Sequence, residues 1–399
     1  GKSTLRRRGR AGDAAAPAAA ADGGSGPPAA ANGVSARRQP FTRTQLAIFA
    51  VCFAVLLVPS ALAYWFYGAQ FFMPDSFTSL TYTAGEWQEM LRNRTIVMIG
   101  GPHRSGTSLL WQVMREHPAI SHFGEQHETG ADYSEGIFVQ NVYPRFGIGQ
   151  EFARPRKWQP VGLGRYALGD EARVHWTESH AAVTEANQAQ ILNEFGRFWE
   201  LSADKPVLLE KSPPNVVIST YLQAVLNLGN APWVPTPPAF GGGRSVARFL
   251  FISRHPLANA YAHKALPFCN TDRLTQLVLH WLRIHEYLEA DLPRLQHARV
   301  LTLEAFAQAP AEHIDQLWAW AGLPPQPGLA ERLTAHVKPR PNDKYLKAHC
   351  ASMADDPLMR TVFLDSAAEL NPRVQALTLV QYNLTDSEWS CPPPADDAS

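Results

Sequence analysis

No metal-ligand spacing occurs in the chain: there is no C-x-x-C, no H-x-x-x-H and no H-E-x-x-H, and His117, His122 and His127 stand five apart. The sequence therefore predicts neither a structural nor a catalytic metal. Net charge is also missing, 36 basic residues balancing 36 acidic ones, so no basic excess marks a nucleic-acid partner and none is expected. No internal repeat is visible. Cysteine is scarce, four among 399 residues. What is plentiful is apolar side chain, 45% against 18% charged, the composition of a normally cored globular protein of one large domain or two ordinary ones.

The balanced charge is unevenly spread. Lys2, Arg6, Arg7, Arg8, Arg10, Arg37, Arg38 and Arg43 fall in the first 44 residues against Asp13 and Asp22, which leaves 28 basic and 34 acidic residues beyond, a mildly acidic body. Charge is absent altogether from Leu46 to Tyr67, LAIFAVCFAVLLVPSALAYWFY. At ~1.5 Å per residue a helix of these 22 residues crosses the ~30 Å hydrocarbon core. Arginines before it and Tyr64, Trp65, Phe66 and Tyr67 at its far end predict a single-pass type II anchor, with the short N-terminus cytosolic and the body across the membrane. Ala61-Leu62-Ala63 offers the competing reading of a signal-peptide cleavage site. Against it stand the ~44 residues ahead of the span and a length beyond that of an ordinary h-region.

Two glycosylation acceptors, Asn93-Arg94-Thr95 and Asn383-Leu384-Thr385, agree with that topology. With Cys52 in the membrane, Cys269, Cys350 and Cys391 remain for the oxidising side and allow at most one internal disulfide, the pair being unreadable. Residues 11–34, AGDAAAPAAAADGGSGPPAAANGV, are too poor in large apolar side chains to offset the entropy of ordering. The expected organisation is a disordered basic tail over 1–44, an anchor over 45–67, a stem over 68–93, a lumenal domain over 94–390 and a C-terminal tail over 391–399.

Within the body, apolar runs at Ile96 to Ile99, Ala119 to Phe123, Val207 to Leu209, Phe249 to Ile252 and Val300 to Leu303 read as strands covered on both faces. Helical patterns cover Thr107 to Glu116, Glu178 to Trp199, Val216 to Leu228 and Leu274 to Leu288. This alternation predicts an α/β fold with a parallel sheet flanked by helices and a ligand crevice at the carboxyl ends of its strands. The stretch Asn230 to Arg244, NAPWVPTPPAFGGGR, reads as an inserted surface loop.

The segment TIVMIGGPHRSGTSLLWQVMREHP, Thr95 to Pro118, has the strand, glycine loop and helix of a phosphate-binding P-loop, but Thr107 stands where G-x-x-x-x-G-K-[ST] requires lysine. Backbone N–H groups and the positive end of a helix dipole still favour an anion there. Ser105, Gly106, Thr107 and Ser108 would cradle it with Arg104 as the cation. Without the lysine that neutralises the outer phosphates, ATP hydrolysis is disfavoured.

R-S-G-T-S-L-L resembles the 5′-phosphosulfate loop of the P-loop sulfotransferases, usually P-[KR]-[ST]-G-T-[ST], with His103 inserted after Pro102. The segment FLFISRHPLANAYAHK, Phe249 to Lys264, is similar to the family's R-[DN]-P strand and helix, with His255 at the middle position. That resemblance implies that Arg254 holds the 3′-phosphate of 3′-phosphoadenosine 5′-phosphosulfate. The family's serine eight residues later falls on Ala262, for which Ser253, His263 or Lys264 would have to substitute. VLLEKSPP resembles the [EN]-K-[STD]-P segment of Golgi sulfotransferases and implies that Lys211 stabilises the leaving oxygen.

Glu125, in SHFGEQHETG, falls where tyrosylprotein sulfotransferases carry a catalytic glutamate after R-S-G-T…H-P, which implies a base for the acceptor hydroxyl; His127 and Glu128 are its neighbouring alternatives. Thr302-Leu303-Glu304-Ala305-Phe306 resembles a strand-end Y-E-D-L, and Val337-Lys338-Pro339 resembles a late lysine loop that would bring Lys338 to the cofactor. The resemblance implies a Golgi-membrane enzyme transferring a sulfonate from that donor to a protein tyrosine or a glycan hydroxyl, with no metal. Two alternatives stand beside it: a P-loop kinase or NTPase using Arg104 for the lysine, and a catalytically silent relative that only binds. The oligomeric state is not legible.

Overall fold

The computed structural model describes residues 80–124, 135–146, 162–229, 247–267 and 269–391. All of them fall in the unit Leu62–Ser399. The expected tail, the anchor, the inserted loop, and Glu125 with His127 and Glu128 lie outside the described residues. Among the described residues no helix is long and apolar enough to cross a membrane.

Five strands form one sheet: β1 (Thr95–Gly100), β2 (Ile120–His122), β3 (Val207–Lys211), β4 (Ala247–Ser253) and β5 (Ala298–Thr302), in the order β2-β3-β1-β4-β5. Every pairing is parallel. β1 is central, with the chain passing to one side of it for β2 and β3 and to the other for β4 and β5. Its carboxyl end is therefore the point where the strand order reverses, the place at which sheets of this kind take their ligands.

Alternation along the strands divides the core. Ile96, Met98, Leu208, Phe249 and Phe251 pack into one cluster with Trp87, Phe195 and Tyr221. Val97, Ile99, Leu209, Leu250 and Ile252 face the opposite way, into a cluster with Leu110, Met114, Leu317 and Trp318. Burial on both faces is why these strands read as continuous apolar runs. A third cluster joins Pro256–Lys264 and Leu274–Asp291 to two late helices, Asp343–Asp355 and Pro357–Gln375.

The element boundaries follow local chemistry. The helix expected from Glu178 runs over Glu185–Gly196, because the Thr184 side chain accepts from the Asn187 N–H and caps it there. The helix expected from Val216 splits into a 3-10 turn, Pro213–Val217, and Ser219–Leu226, with Ile218 out of helical geometry at φ −132°. The last strand stops at Thr302, whose side chain caps Leu303–Gln308. At the end of the stretch read as a stem, Thr83 and Glu86 form a capping box for Ala84–Met90, and Trp87 of that helix is fully buried. Cys350 and Cys391 form the disulfide, and Cys269 is a free, buried thiol.

Candidate active site

Three carboxyl ends lie side by side. Ile99 of β1 is in register with Lys211 of β3, and Gly100 with Phe251 of β4, so the loop after β1 is flanked by Lys211 on one side and by Ser253 and Arg254 on the other.

The loop itself is tightly specified. Gly101 sits at φ 147°, and a Cβ there would lie 2.2 Å from the Ile252 carbonyl oxygen, so only glycine fits. Its N–H donates to the Pro213 carbonyl at 3.0 Å. Arg104 adopts the left-handed region at φ 67° and is exposed. Gly106, at φ 108°, opens the helix Thr107–Arg115, which has no side-chain cap. Left-handed turns just before an uncapped helix start gather N–H groups at one spot, the arrangement that binds an oxyanion. Ser105 and Thr107 are buried and Ser108 is half-buried.

Asn259 braces this loop from behind. Its amide nitrogen donates to the His103 carbonyl at 2.7 Å and to Ser105 Oγ at 3.0 Å. His103 is half-buried, and its imidazole is held well below its ordinary pKa, first by burial and then by the neighbouring His263, Lys211 and Arg104. Its Nδ1 has no partner among the described residues.

Arg254 is buried beside the loop. Its Nη1 donates to the Arg104 carbonyl at 3.3 Å, its Nε to Asn342 Oδ1 at 2.8 Å and its Nη2 to the Pro341 carbonyl, while the guanidinium lies 4.6 Å over the Tyr345 ring. Burial raises the Tyr345 phenol, but Lys344 and the charges of Arg254 and Arg104 bring it below its ordinary value. Glu304 ties the surroundings together: Oε1 accepts from the His255 N–H at 2.9 Å and Asn342 Nδ2 at 2.6 Å, and Oε2 from the Tyr382 hydroxyl at 2.6 Å.

His255 caps the helix that follows, its Nδ1 accepting from the Leu257 N–H at 3.3 Å, which is how an imidazole serves where the resembling motif has Asp or Asn. It stacks on Trp389 at 4.4 Å, and burial pushes its pKa down to about 4. The residues weighed as substitutes for the family's serine have other partners. Ser253 Oγ meets His285 at 2.8 Å, His263 Nδ1 meets the Asn259 carbonyl at 2.9 Å, and Lys264 donates to the carbonyls of Asn270 and Asp272. Ala262 is packed into the third apolar cluster.

Glu210 and Lys211 are fully buried, unlike the exposed turn pair that a charged dipeptide would ordinarily make. Burial pushes Glu210 up to about 7 despite donors from Ser212, Asn215 and Gly136. Asn215 also donates to the Ile99 carbonyl at 3.0 Å, joining β3 to the base of the loop. Lys338 is exposed, on the segment that carries Pro341 and Asn342 to Arg254. Among the described residues no group of three or more His, Cys, Asp or Glu side chains is placed to hold a metal.

The structure thus brings Arg104 to Ser108, Lys211 and Arg254 together and leaves Lys338 at the surface. Sequence reasoning passed over Asn259, Asn342 and Glu135, the last of which accepts from Lys211 Nζ at 2.7 Å. An asparagine inside the otherwise apolar run PLANAYA was the signal for the first; nothing in the sequence pattern marked the other two.

No protein-family model matches the chain, and no curated protein matches it. Among solved structures it is similar to a sulfotransferase from Alicyclobacillus acidocaldarius, at 18% identity and TM-score 0.33, over 64% of this chain and 95% of that one. It is also similar to a sulfotransferase domain from the curacin biosynthetic pathway, at 16% identity and TM-score 0.32, over 59% and 76%. A third is the sulfotransferase STF1 from Mycobacterium tuberculosis, at 12% identity and TM-score 0.37, over 63% and 74%. At such identities and scores these likenesses assign no activity to the chain, whose chemistry is read from its own residues.

Proposed function

We propose that the chain is a sulfotransferase that moves a sulfonate from 3′-phosphoadenosine 5′-phosphosulfate to a hydroxyl, on a protein tyrosine or a glycan. The observation that carries this reading is the Arg254 contact with the Arg104 carbonyl, which joins an N–H cradle and a second cation at one crevice. A ligand with phosphates on the 3′ and 5′ oxygens of one ribose matches two such anion positions. What supports the 5′-phosphosulfate there is the glycine loop with left-handed backbone at Arg104 and Gly106, followed by a helix start with no side-chain cap.

In that mechanism the acceptor hydroxyl loses its proton to the Glu125 carboxylate as its oxygen attacks sulfur. The new S–O bond forms in line with the bond that breaks, and the electron pair stays on the bridging oxygen, releasing adenosine 3′,5′-bisphosphate. Lys211 and Arg104 stabilise the charge gathering there, a form of assistance that acts most strongly in a site shielded from water. No metal is required in this scheme.

The proposed setting is a Golgi membrane, with the body lumenal behind a type II anchor. Glycosidase-sensitive mobility shifts that depend on Asn93 or Asn383 would support it, and unmodified protein would argue against it. Titration with adenosine 3′,5′-bisphosphate tests the donor site, and labelled-donor transfer to a tyrosine peptide and to oligosaccharides tests the acceptor. A Mg²⁺-dependent preference for ATP would replace this reading with a kinase or NTPase.

One observation favours a silent binding protein instead: Ala262 is buried, and three donor atoms of Arg254 already have protein partners. Folded protein that binds a glycan or a protein partner but neither binds bisphosphate nor transfers sulfonate would select it.

A further inference from the structure

Resting on the sulfotransferase reading, we propose that Glu135 is a positioning residue for the transfer, its carboxylate keeping the Lys211 ammonium charged and aimed at the leaving oxygen. Lys211 Nζ donates to Glu135 Oε1 at 2.7 Å, with the two side chains 0% and 9% exposed. A buried ammonium with no counter-charge is strongly disfavoured or gives up its proton, and a neutral amine cannot stabilise an anionic leaving group.

The way Glu135 is delivered is itself built. The Gly136 N–H donates to Glu210 Oε1 at 2.9 Å and the Ile137 N–H to Ser212 Oγ at 3.0 Å, so the residues on either side of Lys211 grip the backbone that presents its partner. Glu210 is fixed in turn by Ser212 Oγ and Asn215 Nδ2, each at 2.6 Å. A Cβ on Gly136 would lie 2.7 Å from Glu210 Oε1 and 2.9 Å from Phe195 Cε1, so the approach needs glycine. The run Glu210-Lys211-Ser212 is therefore one clamp, its outer members on main chain and its centre on a carboxylate.

During transfer no proton moves between Glu135 and Lys211. As the bridging S–O bond breaks and the electron pair stays on the phosphate oxygen, Lys211 shifts its strongest contact towards that oxygen. Glu135 holds the opposite side of the ammonium.

The test compares wild type, Glu135→Gln and Glu135→Asp in the full-length protein, by adenosine 3′,5′-bisphosphate titration and by pH profiles of kcat/KM with labelled donor. In Glu135→Gln we expect kcat to fall by about tenfold or more, bisphosphate affinity to stay within about threefold, and the basic limb of the profile to move down by about one pH unit or more. Glu135→Asp, which keeps the charge but withdraws it, moves both readouts in the same direction by less. It carries the test alone if Glu135→Gln does not fold.

An unmoved basic limb, or an unchanged kcat, in the variant that folds overturns the proposal. So does loss of the acidic limb instead, since that would make Glu135 the base. Wild-type protein that neither binds bisphosphate nor transfers sulfonate overturns the sulfotransferase reading, and this role falls with it. The two failures are thus distinct.

Discussion

The Arg254 guanidinium reaches the Arg104 carbonyl at 3.3 Å across 150 residues of chain, so the loop after β1 and the end of β4 share one wall. If Arg254 also holds a phosphate, Arg254→Met should weaken adenosine 3′,5′-bisphosphate about tenfold or more, the equivalent of one charge-assisted hydrogen bond at ~1.5–3 kcal/mol. Calorimetric titration reads this directly. Affinity unchanged in a folded variant would remove Arg254 from the site.

Gly101→Ala should be among the most damaging single-methyl additions. At φ 147°, with 2.2 Å to the Ile252 carbonyl, the new Cβ has no room, and a loss of about 2 kcal/mol or more is expected together with weakened anion binding. Gly85→Ala is the control: exposed, helical, and with nothing within 4 Å of the added carbon, it should be neutral or stabilise by ~0.5–1 kcal/mol. Thermal unfolding of the pair would expose a wrong loop geometry if both behaved alike.

Ala262→Ser restores the hydroxyl found in the resembling motif but should not restore its contact. The position is fully buried among Leu257, Trp281 and their neighbours. Bisphosphate affinity should therefore stay within about twofold of wild type. A tenfold gain would show that the side chain does reach the donor.

Removing the disulfide by Cys391→Ser should cost about 2–4 kcal/mol, since Cys350 and Cys391 close a loop with a separation of 41 residues. Denaturant unfolding of variant and wild type gives the difference. No change would mean that the two thiols are not bonded in solution.

Acid should destabilise the fold from near-neutral pH downwards. Burial depresses His255, His263 and His285 from an ordinary 6.5 to about 4. Between those values the unfolded chain binds more protons than the folded one. Stability is therefore complete above about pH 6.5 and falls as the pH drops towards 4, by roughly 1.4 kcal/mol per unit for each such group. His285→Gln should flatten the fall of unfolding free energy between pH 6.5 and 5, and an unchanged slope would mean that His285 does not contribute.

The inner strands were legible because burial on both faces leaves apolar runs, as in Val97 to Ile99, Leu208 to Leu209 or Phe249 to Ile252, while the edge strand Ala298–Thr302 is mostly half-buried and shows only as the short run from Val300. The loop was legible because its glycines are forced by backbone geometry, and Arg254 because it ends a strand next to a helix start. Asn342 and Glu135 were not, since each reaches its partner through contacts between distant segments, Asn342 to Arg254 and Glu135 to Lys211. The late helices Asp343–Asp355 and Pro357–Gln375 carry apolar positions too sparse to stand out as a stripe, and they form by packing on Pro256–Lys264 and Leu274–Asp291.

The disulfide between Cys350 and Cys391 also fastens the stretch that lays Trp389 on the His255 ring, and His255 in turn starts the helix bearing Asn259. Opening that one bond would therefore slacken the loop brace from its far side, with no change to the loop's own residues.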